Sequence, residues 1–326
     1  MTGSAADAQA PVAPGLFRFG LDGRSAPGLF VAGWLAVVVG CGLAAVGLFA
    51  LNETAASLLF VAGAAGLLVG LLLLGGSQVA ERRAAGAAGW SGPSPVLVAV
   101  ASLPATYLGV VAVGTPLALA GSDPPRAVVE LLLIGVQAAV TIGLVRILVV
   151  GAAGLSWREL GLHGSPGPAL REAAWGALLA GPTILVTAIV VAAVGGLVGA
   201  APESPLPPVG TLDGLLLHLA AGAILAPFAE EILFRGVAVT AWARTAGPRA
   251  AIVRSAVLFA VAHVLTVGGD DFGFAARLAL VGFVGRLPVA LVLAWVYLRR
   301  GSLWSAVGLH ATFNAVLITV AESAAG

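Results

Sequence analysis

The sequence predicts an all-α fold, a polytopic transmembrane helix bundle of about nine spans. Three observations lead there. Hydrophobic residues make up 60% of the chain and charged residues only 10%, a balance outside the range of soluble domains. The mean hydropathy is +1.06. The apolar residues fall in runs close to the ~20 residues that a helix needs to cross a ~30 Å hydrocarbon core.

The runs are taken in order. Residues 1–27, polar and rich in Ala, Gly and Pro, read as a disordered cytoplasmic tail. They lack the charged start, short apolar core and cleavage site of a signal peptide, so the first run, 28–51, reads as a retained span. It carries the one cysteine, Cys41, read as a buried apolar residue. The runs at 56–75, 95–120, 128–150 and 172–200 follow. Glycines in the second and fifth allow close helix approach. Glu130 and Arg146 near the two ends of the fourth read as snorkelling anchors. Between the fourth and fifth, Leu155–Gly164 (LSWRELGLHG) predicts a short surface helix, with His163 interfacial. The sixth run, 212–241, holds His218, Glu230, Glu231 and Arg235, and His218 reads as structural. The seventh, 250–267, is short and holds His263. The eighth, 274–298, is interrupted by Arg277, Arg286 and Pro288, and a re-entrant start there would reduce the count to eight. The ninth, 302–321, holds His310 and Asn314.

Arginine placement orients this bundle. All 16 basic residues are arginine, and with the abundant Ala, Gly and Val this reads as a GC-rich bacterial genome. With an N-terminus in the cytoplasm, eleven arginines (18, 24, 82, 83, 158, 171, 244, 249, 254, 299 and 300) face inward, against Arg126 and at most Arg277 outside. That is the positive-inside asymmetry, and all seven tryptophans fall near inner span ends. The expectation is a cell membrane protein with its C-terminus outside. In a Cys41→Ala background, a cysteine placed beside Asp270–Asp271 should react with an impermeant thiol reagent on whole cells, and one beside Arg82–Arg83 should not. The reverse pattern overturns the orientation. A net charge of +1 gives no basic field for nucleic acid.

The ionisable groups inside the spans carry the functional reading, because each costs about 2.5–3.5 kcal/mol in a bilayer even on the lenient insertion scale. Counted from the inner ends of their spans, Glu230 and Asn314 lie ~18 Å deep, His263 ~20 Å and His310 ~12 Å. Three helices thus bring polar groups to about one level. Glu231 and Arg235 are four apart and suit an intrahelical ion pair, and His310 and Asn314 are four apart on one face. Glu230 lies ~100° round the helix from Glu231, free to face a cavity. A shielded carboxylate and an imidazole can activate water, and an amide with a second imidazole can donate to an oxyanion. The set Glu230, His263 and His310 equally matches the ligands of a catalytic zinc with one open position. No HExxH motif is present.

The pattern Glu230-Glu231-x-x-x-Arg235, Phe259-x-x-x-His263 and His310-x-x-x-Asn314 resembles the three motifs of the CPBP family. These are the CAAX proteases and bacteriocin-processing enzymes, also called Abi, related to the type II CAAX prenyl endopeptidase. The flanking text AEEILFRG, LFAVAH and GSLWSAVGLHATFN is similar over roughly 212–321. The resemblance implies an intramembrane endopeptidase acting on a membrane-associated peptide or protein. It implies Glu230 as the base on water, His263 as its partner, and His310 and Asn314 at the oxyanion, or His310 as a zinc ligand. Glu231 and Arg235 would support the site, and Phe259 would pack behind His263. The implied division is a four-span region, 28–150, without assigned chemistry and a catalytic membrane domain, 151–326. Two rival classes are a non-catalytic membrane immunity or scaffold protein and a proton-coupled transporter. The transporter predicts matching inverted repeats, which the sequence lacks.

Overall fold

In a computed structural model the described residues are 23–50, 52–86, 89–201, 206–265 and 267–325. The disordered reading of the first 27 residues falls mostly outside them. Among the described residues there is no strand. The helices are α1 (Pro27–Gly47), α2 (Glu53–Ala84), α3 (Pro95–Leu119), α4 (Arg126–Leu144), α5 (Pro166–Ala177), α6 (Ala180–Val198), α7 (Leu212–His218), α8 (Ala226–Glu231), α9 (Thr240–Ala246), α10 (Pro248–Ala262), α11 (Phe272–Arg300) and α12 (Leu303–Ala325). Wider π-helical turns extend α4 over Val145–Ala152 and join α7, α8 and α9 through Leu219–Leu225 and Ile232–Val239. Among the described residues eight helical stretches are long and apolar enough to cross a membrane: 27–47, 53–84, 95–119, 126–152, 166–198 (α5 and α6 with the turn between them), 212–246, 272–300 and 303–324.

Short-range chemistry sets the boundaries. Proline stands in the first turn of α1, α3, α5 and α10, where its missing N–H costs nothing. Asn52, Thr211 and Asp271 cap α2, α7 and α11 through side-chain oxygens that accept backbone N–H bonds. Glycine permits the closest contacts. A Cβ on Gly308 of α12 would lie 2.0 Å from the Ala173 carbonyl oxygen, so α5 and α12 meet backbone to backbone.

Two sequence expectations about spans are corrected. The seventh run is not a full span: α10 has 15 residues, ~22 Å of rise, and ends at Ala262. The eighth is not broken: α11 runs 29 residues straight through Arg277, Arg286 and Pro288. Arg235 Nη2 donates to the Ala290 carbonyl at 3.3 Å, and the Thr240 and Tyr297 hydroxyls bond at 2.7 Å. These pairs make α11 run in the same direction as α8–α9. The short α10 and the connection after it therefore carry the chain back from the Ala246 end of the bundle to the Phe272 end.

The surface helix expected over Leu155–Gly164 is instead a compact turn. Leu162 N–H reaches back to the Trp157 carbonyl at 3.0 Å, and Gly161 takes φ +84°. Leu160 is fully buried beside Gly236, and the Leu303 N–H donates to the Gly161 carbonyl at 2.9 Å. The backbone N–H of Ser156, then its hydroxyl, holds the Glu159 carboxyl below the usual range. His163 tethers this turn to the Gly301 carbonyl at 2.7 Å. Arg24 with Glu81, Arg244 with Glu159 and Arg300 with Glu172 pair at this same end of the bundle, where the sequence gathered its inward arginines. Trp90 departs from the interfacial reading: it is buried, with Nε1–H donated to the Pro93 carbonyl. Cys41 departs too, lying exposed on the outside of α1.

The opposite end is tied by side chains that the sequence reading treated separately. His218 Nε2 lies 2.7 Å from Glu130 of α4 and its Nδ1 3.2 Å from Glu322 of α12. Glu130 also accepts from Arg126, and Glu322 from the N–H groups of Val209 and Gly210. Glu130 is thus a half-buried partner of His218, not a snorkelling anchor, and His218 is structural as expected.

Candidate active site

Pro227 is where the local geometry begins. Within a helix it offers no N–H to the carbonyl one turn back. The chain meets this with the π stretch Leu219–Leu225 immediately before α8, and a second π stretch, Ile232–Val239, follows. Glu230 and Glu231 end the short α-helical piece between two wide-turned ones, an arrangement that recurs at functional sites.

The two carboxylates diverge as their spacing predicts. Glu231 is fully buried and accepts from Arg235 Nη1 at 2.9 Å and from His310 Nδ1 at 2.8 Å on the same oxygen, Oε1. Arg235, also fully buried, lies 4.7 Å over the Phe259 ring and donates to Ala290 of α11. Among the described residues its Nε and Glu231 Oε2 find no hydrogen-bond partner. Glu230 instead keeps 18% of its side chain exposed, and its Oε2 lies 3.5 Å from His263 Nε2 and 3.8 Å from His310 Nε2.

Histidine tautomers follow from the other nitrogens. His263 Nδ1 lies 2.7 Å from the Phe259 carbonyl, which only accepts, so Nδ1 carries hydrogen. His310 Nδ1 meets a carboxylate oxygen and carries hydrogen for the same reason. In the neutral rings both Nε2 atoms then present lone pairs to Glu230 Oε2. Three such acceptors repel unless a proton, a water or a cation lies among them. His263 is not mid-helix, as expected, but the residue that closes α10. Its ring stacks against Phe259 at 4.2 Å between centroids, which places Phe259 behind it as the motif implied.

Asn314 stands one turn beyond His310 on α12. Its Nδ2 donates to the Gly222 carbonyl at 2.8 Å, in the π stretch before Pro227, so the bond that fixes it runs to backbone. One N–H of the amide remains for another acceptor. A groove of about 580 Å³ between Leu219–Ile224 and Ala311–Val320 is apolar and is lined by none of these six side chains.

The donor chemistry suits zinc, with two imidazole lone pairs and a carboxylate. Tetrahedral zinc with bonds of ~2.0–2.1 Å sets its ligand atoms ~3.3 Å apart. The pairs here are wider, and among the described residues no three His, Cys, Asp or Glu side chains form a group able to hold a metal ion. The set matches zinc in kind, with the two carboxylate–imidazole spacings somewhat wider than tetrahedral zinc sets them.

The fold and site define a polytopic helical membrane protein with a carboxylate and two imidazoles facing one another between its spans. Residues 212–316 match the family model described as Rce1-like, type II CAAX prenyl endopeptidase Rce1-like. All six site residues fall inside it; everything before residue 212 lies outside. No curated protein and no solved structure matches the chain.

Proposed function

We propose that the chain is an intramembrane endopeptidase in which Glu230 activates water, acting on a membrane-associated peptide or protein. The observation that carries this reading is the approach of Glu230 Oε2 to two imidazole Nε2 atoms whose other nitrogens are held by Phe259 and Glu231. A water among these three atoms has two acceptors for its hydrogens and one lone pair aimed away. Glu230 takes one proton as the water oxygen bonds to the scissile carbonyl carbon, and the carbonyl electrons move onto oxygen. His263, held in one orientation by Phe259, shares the proton load. On collapse the C–N bond breaks, and the proton taken by Glu230 passes to the amine. Asn314, one helical turn from His310 and with one N–H free, is the donor assigned to the oxyanion. Glu231 and Arg235 hold the His310 ring and do not touch the water. The N-terminus is assigned to the cytoplasmic side of the cell membrane, and the reaction to the membrane-spanning part of the chain, since Glu230 and His310 lie within the spanning stretches 212–246 and 303–324.

A second reading gives Glu230, His263 and His310 to a zinc ion, which would polarise the scissile carbonyl and lower the pKa of a bound water. The donor set favours it, and the spacing opposes it. Purified protein in liposomes should cleave a membrane-peptide pool with far less than one metal ion per chain by mass spectrometry, and phenanthroline should leave the rate unchanged. About one zinc per chain, lost with activity and restored on adding zinc back, replaces the metal-free reading. No cleavage under either condition removes the peptidase reading.

A further inference from the structure

Arg286 stands midway along α11, fourteen residues from Phe272 and fourteen from Arg300. A guanidinium at the centre of a candidate span is costly and is kept near a partner or a function. Yet among the described residues no carboxylate lies within ion-pair distance of it. Its one side-chain bond is from Nη1 to the Gly282 carbonyl at 2.9 Å, on its own helix. Among the described residues its other N–H groups have no hydrogen-bond partner. Gly282 makes room for this pose, since a Cβ there would lie 3.0 Å from Arg286 Nη1 and 3.3 Å from Val264 Cγ1. The guanidinium therefore lies beside the residue that follows His263. The charge it feels is that of Glu230, although the two are not in contact. The Arg235–Ala290 and Thr240–Tyr297 pairs set the register of α11 and put Arg286 level with Glu230 along the bundle. Its side chain then reaches toward the Phe272 end, as helical side chains do. A counter-ion serving only to offset Glu230 would close onto it; this one leaves a gap.

We propose that Arg286 binds a carboxylate of the substrate, within a few residues of the scissile bond, and so selects which peptides are cut. This rests on the peptidase reading above. A planar fork of N–H donors suits bidentate carboxylate binding and is poorly replaced by lysine. The carboxylate has two sources, the free C-terminus of the peptide or an acidic side chain near the cut.

The test uses full-length protein in liposomes and a quenched-fluorescent apolar peptide pool in three forms. One has a free C-terminus, one a C-terminal amide, and one an amide with a single Asp near the middle. Binding is measured by anisotropy in the Glu230→Gln background, so that nothing is consumed, and cleavage in wild type. The expected result is at least tenfold preference for one carboxylate form over the plain amide, in binding and in KM. Arg286→Gln should bring that ratio to about one, and Arg286→Lys to an intermediate value. Which form is preferred identifies the source. A ratio near one in wild type, or one that survives Arg286→Gln, overturns the assignment even if all peptides are cut. Carboxylate-selective binding lost in Arg286→Gln, with no cleavage by wild type, upholds the Arg286 site and removes the peptidase reading instead.

Discussion

Replacing Glu230 with glutamine should abolish peptide hydrolysis while the protein still inserts and survives detergent extraction. The substitution keeps the shape of a side chain that is partly exposed and shares no short hydrogen bond with its neighbours, so the fold loses little. The chemistry loses its proton acceptor, which typically costs about 10²–10⁴-fold in rate. His263→Ala should fall in the same range, because it removes the imidazole that faces Glu230 Oε2. Since the two act on one water, the double variant should be scarcely slower than either single one. Rates from single-turnover cleavage in liposomes decide this. Turnover at the wild-type rate by Glu230→Gln rejects Glu230 as the base.

The second large effect is on stability. Arg235→Ala leaves Glu231 fully buried without its guanidinium, and breaking a buried pair by removing one partner costs about 3–5 kcal/mol. The loss extends further here, because Arg235 also bonds Ala290 of α11 and Glu231 holds the His310 ring of α12. A strong drop in the detergent melting temperature is expected, together with loss of activity. The double variant Glu231→Leu/Arg235→Met, which removes both charges, should recover much of the stability but none of the activity. A melting temperature for Arg235→Ala equal to wild type would contradict the account of the pair.

How much of this was legible in the sequence depends on whether the signal was local or long-range. The Glu231–Arg235 pair was readable because spacing of four fixes neighbours on a helix, and the divergence of Glu230 from Glu231 followed from the same geometry. The common depth of Glu230, His263 and His310 was readable because rise per residue is constant. The end of α10 at His263 was not, since the apolar run continues past it to Val267 with nothing in the composition to mark the stop. The bond that fixes Asn314 was not legible for a different reason: its partner is a backbone carbonyl, Gly222, exposed by a π stretch. Pro227 is the sequence signal for that stretch. The His218–Glu130–Glu322 network was missed although the depth argument reaches it. All three lie at the same end of their spans, but each was read singly, across separations of 88 and 104 residues. Arg286 was seen as deep and charged. Its lack of a counter-ion is a property of packing that no spacing rule supplies.

Whether Glu230 makes this chain a peptidase in its own membrane is decided by comparing the membrane peptides of cells expressing wild type with those of cells expressing Glu230→Gln at equal protein levels. New peptide termini, clustered in or beside membrane-spanning segments, should be present with wild type and absent with the variant. Identical sets of termini in the two, with both proteins inserted and folded, would contradict that role of Glu230.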